Sequence, residues 1–427
     1  MSHPDADTLA QLQAMGVLNA RIPPVVLSAK SEVLFALGAL MVGLFPFAYL
    51  ALIAWALYFF GSASGAVPGA TSILHSPVVS VAVLLIGCLL ILSLLKPLVA
   101  RPAPAAEPHY LDPEKQPLLF AFVRSLASSI GVASPQRIAV DCNVNCYCMF
   151  AGGIAGLFHS GFVLVIGLPL VAGLRLDQVA GVLAHELGHA VQITGMRSSH
   201  FIWGVHAWFS RVAFSQDELD EWLLGCFETA GKATRPALRL IQLLIQPGRG
   251  ILRLLMMAET AVSSTFRRCI EIGADRYQIR VSGTDRFVSA VVEINLLAVA
   301  AQRAIVELSR MKRTGRLVDD YPGLIASLRL RYPGDFVQRI LAGMAEEKTG
   351  MFSAHPCDKD RIALARAEHS QGVVTVDLPT SVLFAQYPAL CREVTLEYYK
   401  QEFGLIPEGW ELVPIDGTLN GRNDHAH

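Results

Sequence analysis

Leu183-Ala184-His185-Glu186-Leu187-Gly188-His189-Ala190-Val191 is the stretch on which the reading of this chain turns. Val179, Val182 and Leu183 before the histidines, and Val191 and Ile193 after them, recur at helical spacing, with Asp177 as the expected cap. On such a helix His185 and His189, four residues apart, share one face and can reach one ion. Glu186 points to one side of that ion, where it can take a proton from a bound water. The plainer reading, a surface helix with two histidines, fits poorly. The flanks are apolar, and two unpaired imidazoles inside a protein are costly. A catalytic zinc has three protein ligands and an open position for water, whose pKa it lowers to about 7 while polarising the scissile carbonyl.

A third ligand is therefore needed, and Cys269-Ile270-Glu271-Ile272-Gly273-Ala274-Asp275 offers one. Glu271 and Asp275 are also four apart and share a helix face. Glu271 can bind the metal, and Asp275 can hold the other ring nitrogen of a ligand histidine. By itself such a pair more often describes a solvated charged face.

The rest of the chain is apolar. Of its 427 residues 53% are hydrophobic and 17% charged, against about 45–50% and about 25% in a typical soluble domain. Mean hydropathy is +0.44. The formal net charge of −1 gives no bulk attraction for nucleic acid. The eight cysteines are too sparse for a disulfide scaffold and read as reduced thiols. Cys142, Cys146 and Cys148 lie close together, but not at a standard zinc or iron–sulfur spacing.

Val33–Phe60 and Val78–Leu95 are uncharged runs of spanning length, separated by a Gly/Ser/Ala/Pro-rich loop at 61–77; a bilayer core takes about 20 apolar helical residues. Arg21 and Lys30 precede the first run, Lys96 and Arg101 follow the second, and the loop has neither. Both ends of this hairpin, and the chain beyond it, are thus expected on the cytoplasmic side of the cell (inner) membrane. The expected organisation is an N-terminal cytoplasmic segment 1–32, a transmembrane hairpin 33–99 (spans 33–60 and 78–97), a Pro-rich linker 100–111, a catalytic domain 112–415 and a polar tail 416–427. Within the domain, a helix is expected from Asp112-Pro113-Glu114 to Ile130. Strands are expected at Arg137–Asp141 and Phe162–Ile166, with Gly-rich turns over Gly152–Gly161 between them. Residues 200–262 are apolar but interrupted by Arg211, Arg239, Arg249, Arg253 and Glu259, as in amphipathic helices on a membrane or against the fold; further crossings are the alternative.

These motifs, in this order, resemble the integral-membrane gluzincin family of HtpX-like and CAAX-endopeptidase-like zinc metalloproteases. Its pattern is His-Glu-x-x-His, a later Glu-x-x-Ala-Asp, and a late His-Pro followed shortly by Arg. Here these are 185–189, Glu271–Asp275, and His355-Pro356 with Arg361. The resemblance implies a mainly α fold with a small β-sheet: a transmembrane helical hairpin followed by a gluzincin-type α+β metalloprotease domain. It implies one Zn2+ per chain on His185, His189 and Glu271, Glu186 as general base, and Asp275 orienting a ligand. His355 is either an oxyanion donor or a structural residue before a proline, and Arg361 ties its loop to the fold. An edge strand including Asn145 and Cys146 would pair with extended substrate, Cys146 standing where the family often has Ala. Residues 200–262 lack the two uninterrupted apolar spans common in HtpX-like chains. The CAAX endopeptidases have many more spans, which disfavours a prenyl-protein substrate. The implied partners are a protein or peptide substrate and the lipid bilayer, without nucleic acid. The expected activity is endopeptidase cleavage in membrane protein quality control. A dedicated processing protease and a non-catalytic metal-bearing scaffold are the alternatives.

Overall fold

Two apolar runs long enough to be helices form them: α1 over Ala29–Ala63, with Pro46 inside it, and α2 over Pro77–Val99. The computed structural model describes residues 21–25, 29–63, 77–99, 108–150, 161–195, 197–214, 225–227, 229, 231, 234–353, 355–404 and 410–415. Most of the expected segment 1–32, of the loop 61–77 and of the linker 100–111, the Gly-rich turns except Gly161, and the tail 416–427 lie outside the described residues.

The chain divides into two units. One comprises Ser28–Ala105 and Ser198–Arg267. It contains the packed pair α1 and α2, helix α6 (Arg197–Phe214) and the first part of the long helix α7 (Arg235–Ser282). Aromatic side chains knit it: Phe45 packs edge-on to Phe209 at 6.4 Å and Tyr49 to Trp208 at 5.8 Å. Tyr49 also donates its hydroxyl to the carbonyl of Leu94, and Glu259 lies fully buried 2.8 Å from His206 Nδ1. Leu40, Leu44, Phe47, Trp55, Val78 and Leu85 are exposed on the hairpin.

The other unit comprises Met1–Leu27, Ala106–Arg197 and Arg268–His427. Strands β1 (His109–Tyr110), β2 (Arg137–Asp141), β3 (Cys146–Phe150) and β4 (Phe162–Gly167) form a sheet in the order β1-β2-β4-β3. Strands β2 and β4 run parallel; β1 and β3 lie antiparallel to their neighbours. Strand β3 is thus an edge, paired on one side only among the described residues. The helix expected from Asp112 starts instead at Pro117 (α3, Pro117–Ile130). Asp112 closes a single turn by accepting from Glu114 N, and Pro117 disfavours helical geometry at Gln116, so the helix begins anew at the proline.

After β4 and a short helix α4 (Leu168–Gly173) comes the motif helix α5, Leu176–Gly195. Asp177 and Gln178 both serve the free donors at its start: Gln178 N donates to Asp177 Oδ1 and Arg175 N to Gln178 Oε1, each at 2.8 Å. Asp177 sits inside the first turn, fully buried, 2.9 Å from Arg286 Nε. Val179, Ala180, Leu183, Ala184, Leu187 and Ala190 are buried around α5, each leucine contributing about 1.5–3 kcal/mol of burial. The helix packs on β3, on α3 and on α8 (Thr284–Lys312). Among the described residues, Ala36–Ala63 and Thr284–Lys312 are long and apolar enough to cross a bilayer. However, α8 buries Phe287, Leu297, Ala300 and Ala304 in this unit's core, as a core helix does.

Two small residues bring α5 against the last turns of α7. A Cβ on Gly181 would stand 2.8 Å from Ser282 Oγ, and one on Gly188 would stand 2.8 Å from the buried Tyr277 ring and 3.3 Å from Ala274 Cα. Gly188→Ala is therefore expected to destabilise the chain by about 1–3 kcal/mol through overpacking. The measurement is the thermal unfolding midpoint in detergent, and an unchanged midpoint would contradict this close approach.

Candidate active site

That approach carries the histidines of α5 to the carboxylates of α7. His185 and His189 turn their Nε2 atoms to within 3.1 Å of each other, with the rings nearly perpendicular. Glu271 faces both, its Oε2 3.4 Å from His185 Nε2 and its Oε1 3.6 Å from His189 Nε2. The ligand atoms of all three lie within 4.8 Å of one another. Glu271 is only 3% exposed. Two ring nitrogens this close can share one proton, but a single divalent cation satisfies both lone pairs and the carboxylate together. The donor set thus fits a metal on chemical grounds.

The protonation pattern follows the same geometry. Burial pulls against a charged His185, but the carboxylates of Asp275 and Glu271 outweigh it and hold that ring up to about 10. His189 is pushed down to about 4 by burial and by its charged neighbour. Burial works against the Glu271 carboxylate as well, yet contacts with His185 and His355 hold it well below the usual carboxylate range. With their nitrogens 3.1 Å apart, the two rings cannot both be charged.

Behind the ligands stands a second layer. Asp275 Oδ1 is 3.1 Å from His185 Nδ1, the side from which a carboxylate can orient an imidazole. Asp275 is fully buried and is gripped by Arg361 through two hydrogen bonds, Nε to Oδ2 at 2.9 Å and Nη2 to Oδ1 at 2.7 Å. Arg361 lies on α11 (Asp358–Glu368), 5.6 Å above the Phe287 ring. Asp358 Oδ1 is 3.6 Å from Arg361, and Asn295 on α8 donates to Asp358 Oδ2 at 2.7 Å. His355, 65% exposed, places Nδ1 2.9 Å from Glu271 Oε2.

Glu186 follows His185 on the half-buried side of α5. Burial pushes its carboxyl up to about 7; His185 opposes this and Glu271 adds to it. Its backbone carbonyl accepts from the Cys148 thiol at 3.6 Å, which seats β3 beside the motif. Asn145 and Cys146 open that strand: the Asn145 side chain accepts from Cys146 N at 2.9 Å and its carbonyl accepts from Gly167 N at 2.8 Å. Burial, and then the Glu186 charge, hold the Cys146 and Cys148 thiols well above their ordinary value, so neither is a ready thiolate ligand.

His185, His189, Glu271, Asp275, Arg361 and His355 are thus brought to one locus, with Glu186 beside it and Asn145 and Cys146 at the start of the neighbouring strand. Sequence reasoning passed over Asp358 and Asn295, and considered Cys148 only as part of a cysteine cluster. Asp358, three residues before Arg361 at a helix start, had a local signal; Asn295 had none, because its partner lies 63 residues away.

Two imidazoles from one helix and a carboxylate from another, with a glutamate after the first histidine, are the constellation of a metallopeptidase. Residues 113–369, more than half of the chain, match the family model described as Peptidase family M48, and the chain belongs to that family. It is a peptidase of a metal-dependent family, mainly helical with a small sheet, its protease domain following an apolar helical hairpin. No curated protein and no solved structure matches it.

Arg361→Ala would leave the buried Asp275 carboxylate without its cation and is expected to cost about 3–5 kcal/mol. Denaturant unfolding of the detergent-solubilised protein measures this, and a loss below about 1 kcal/mol, the scale of an exposed pair, would contradict it.

Proposed function

We propose that this chain is a membrane-anchored zinc endopeptidase acting at the cytoplasmic face of the cell (inner) membrane. The observation that carries the reading is the convergence of His185, His189 and Glu271 beside a glutamate whose carboxyl lies near neutrality. One zinc per chain, bound by those three side chains, would supply Lewis acidity toward the substrate carbonyl and lower the pKa of a water to about 7.

The chain's own residues do the rest. Glu186 accepts a proton at its carboxylate as the water oxygen bonds to the peptide carbon. It returns that proton to the amine nitrogen as the C–N bond breaks. A carboxylate beside the water can carry the proton in both directions. Asp275, held by Arg361, fixes the ring of His185. His355, 65% exposed beside Glu271, is the side chain placed to meet the developing oxyanion. The open edge of β3, entered at Asn145 and Cys146, suits an extended peptide added antiparallel to the strand.

The membrane part of the reading is supported by exposed apolar side chains along α1 and α2, a surface that water disfavours and lipid accepts. Lys and Arg on both outer flanks of the hairpin support a multi-pass anchor with the catalytic domain facing the cytoplasm. Main-chain pairing along an edge strand tolerates many side chains, which favours quality control of membrane proteins over processing of a single substrate.

Glu186→Gln is expected to keep one zinc per chain while cleavage of an unfolded membrane protein falls by roughly 10²-fold or more. Metal analysis and gel-based cleavage measure the two, and cleavage at the parental rate would overturn the mechanism. The same variant, isolated from membranes after cross-linking, is expected to hold many different membrane proteins. Recovery of a single species would favour a dedicated processing enzyme.

A further inference from the structure

Helix α7 presents Arg268, Glu271 and Asp275 on one face, three and seven residues apart. The chain around His355 is attached to that face in the same order. Arg268 Nη1 donates to two backbone carbonyls, Gly350 at 3.3 Å and Ser353 at 3.1 Å. Those carbonyls belong to one tight turn, in which Ser353 N donates back to Gly350 O at 3.2 Å and the exposed side chains of Met351 and Phe352 form the tip. His355 then meets Glu271 at 2.9 Å, and Arg361 grips Asp275 through two hydrogen bonds.

His355 is 65% exposed, so side-chain packing does little to place it, and its backbone attachments must. Downstream it is held by Pro356 and by the start of α11, where Thr349 Oγ1 accepts from Cys357 N at 2.8 Å and donates to Asp360 Oδ2 at 3.0 Å. Upstream the turn is held by Arg268. One guanidinium reaching two carbonyls constrains both position and orientation; an ammonium is a point charge on a more flexible stem.

We propose that Arg268 is a positioning residue for His355. It clamps the 350–353 turn to the helix that carries Glu271, so that the His355 ring arrives over the site. The role in turnover rests on the peptidase reading above; the clamp itself does not.

The test is amide hydrogen exchange together with peptide cleavage, on the full chain in detergent with zinc. In Arg268→Ala the amides of Ser353 and His355 should exchange about 10-fold faster, the scale of one or two lost hydrogen bonds. Zinc content should be unchanged. On an extended peptide kcat should fall about 5- to 10-fold with KM within about twofold, and Arg268→Lys should recover part of the loss. In a His355→Ala background Arg268→Ala should add less than about twofold, because the residue it positions is gone. Unchanged exchange in the turn would overturn the clamp. An equal loss with and without His355 would overturn the positioning role. Exchange needs no turnover, so a parent protein that cleaves nothing would overturn the peptidase reading separately.

Discussion

A carboxylate 3% exposed and facing two imidazole nitrogens is the constraint around which the catalytic unit is organised. A lone charge in that position would be too costly to keep, since burial removes the hydration that stabilises it in water. Glu271 is stable there because positive charge or a cation faces it. Two elements 86 residues apart in sequence at their centres of contact, His185 and Glu271, must therefore meet at ångström tolerance. Gly181 and Gly188 make that possible by removing the Cβ atoms that would hold the helices apart. The glycine inside the motif thus belongs to the chemistry indirectly, as spacing.

Asp275 repeats the problem one turn further along and solves it differently. Its charge is matched by the two-point grip of Arg361, which orients both groups, and its remaining contact aligns His185. Burial makes this chain of contacts stiff: each member is desolvated, so each is costly to leave unmatched. His355 differs, being mostly exposed and set in place by its backbone. The site thus combines side chains fixed on packed helices with one carried by a loop.

The sheet contributes less mass than the helices but sets the approach to the site. Strand β3 is an edge among the described residues, and the Cys148 thiol bonds to the carbonyl of Glu186, which sets this strand beside the His-Glu-Leu-Gly-His helix. Exposed edges invite pairing with other chains.

By itself the sequence determined the chemistry and the broad plan. His-Glu-Leu-Gly-His and Glu271–Asp275 were legible because helical spacing of three and four residues converts directly into shared faces, and the hairpin because uncharged length is a local property. Where two local signals competed the reading slipped, as at Asp112, whose turn was cut short by Pro117. Only the tertiary structure decided which distant groups meet. It set Arg361 on Asp275, Asn295 on Asp358, Arg268 on the turn before His355, and the division of the chain that groups Ser198–Arg267 with the hairpin. Such pairings depend on how helices pack in three dimensions, and packing leaves no period in the sequence by which to read them.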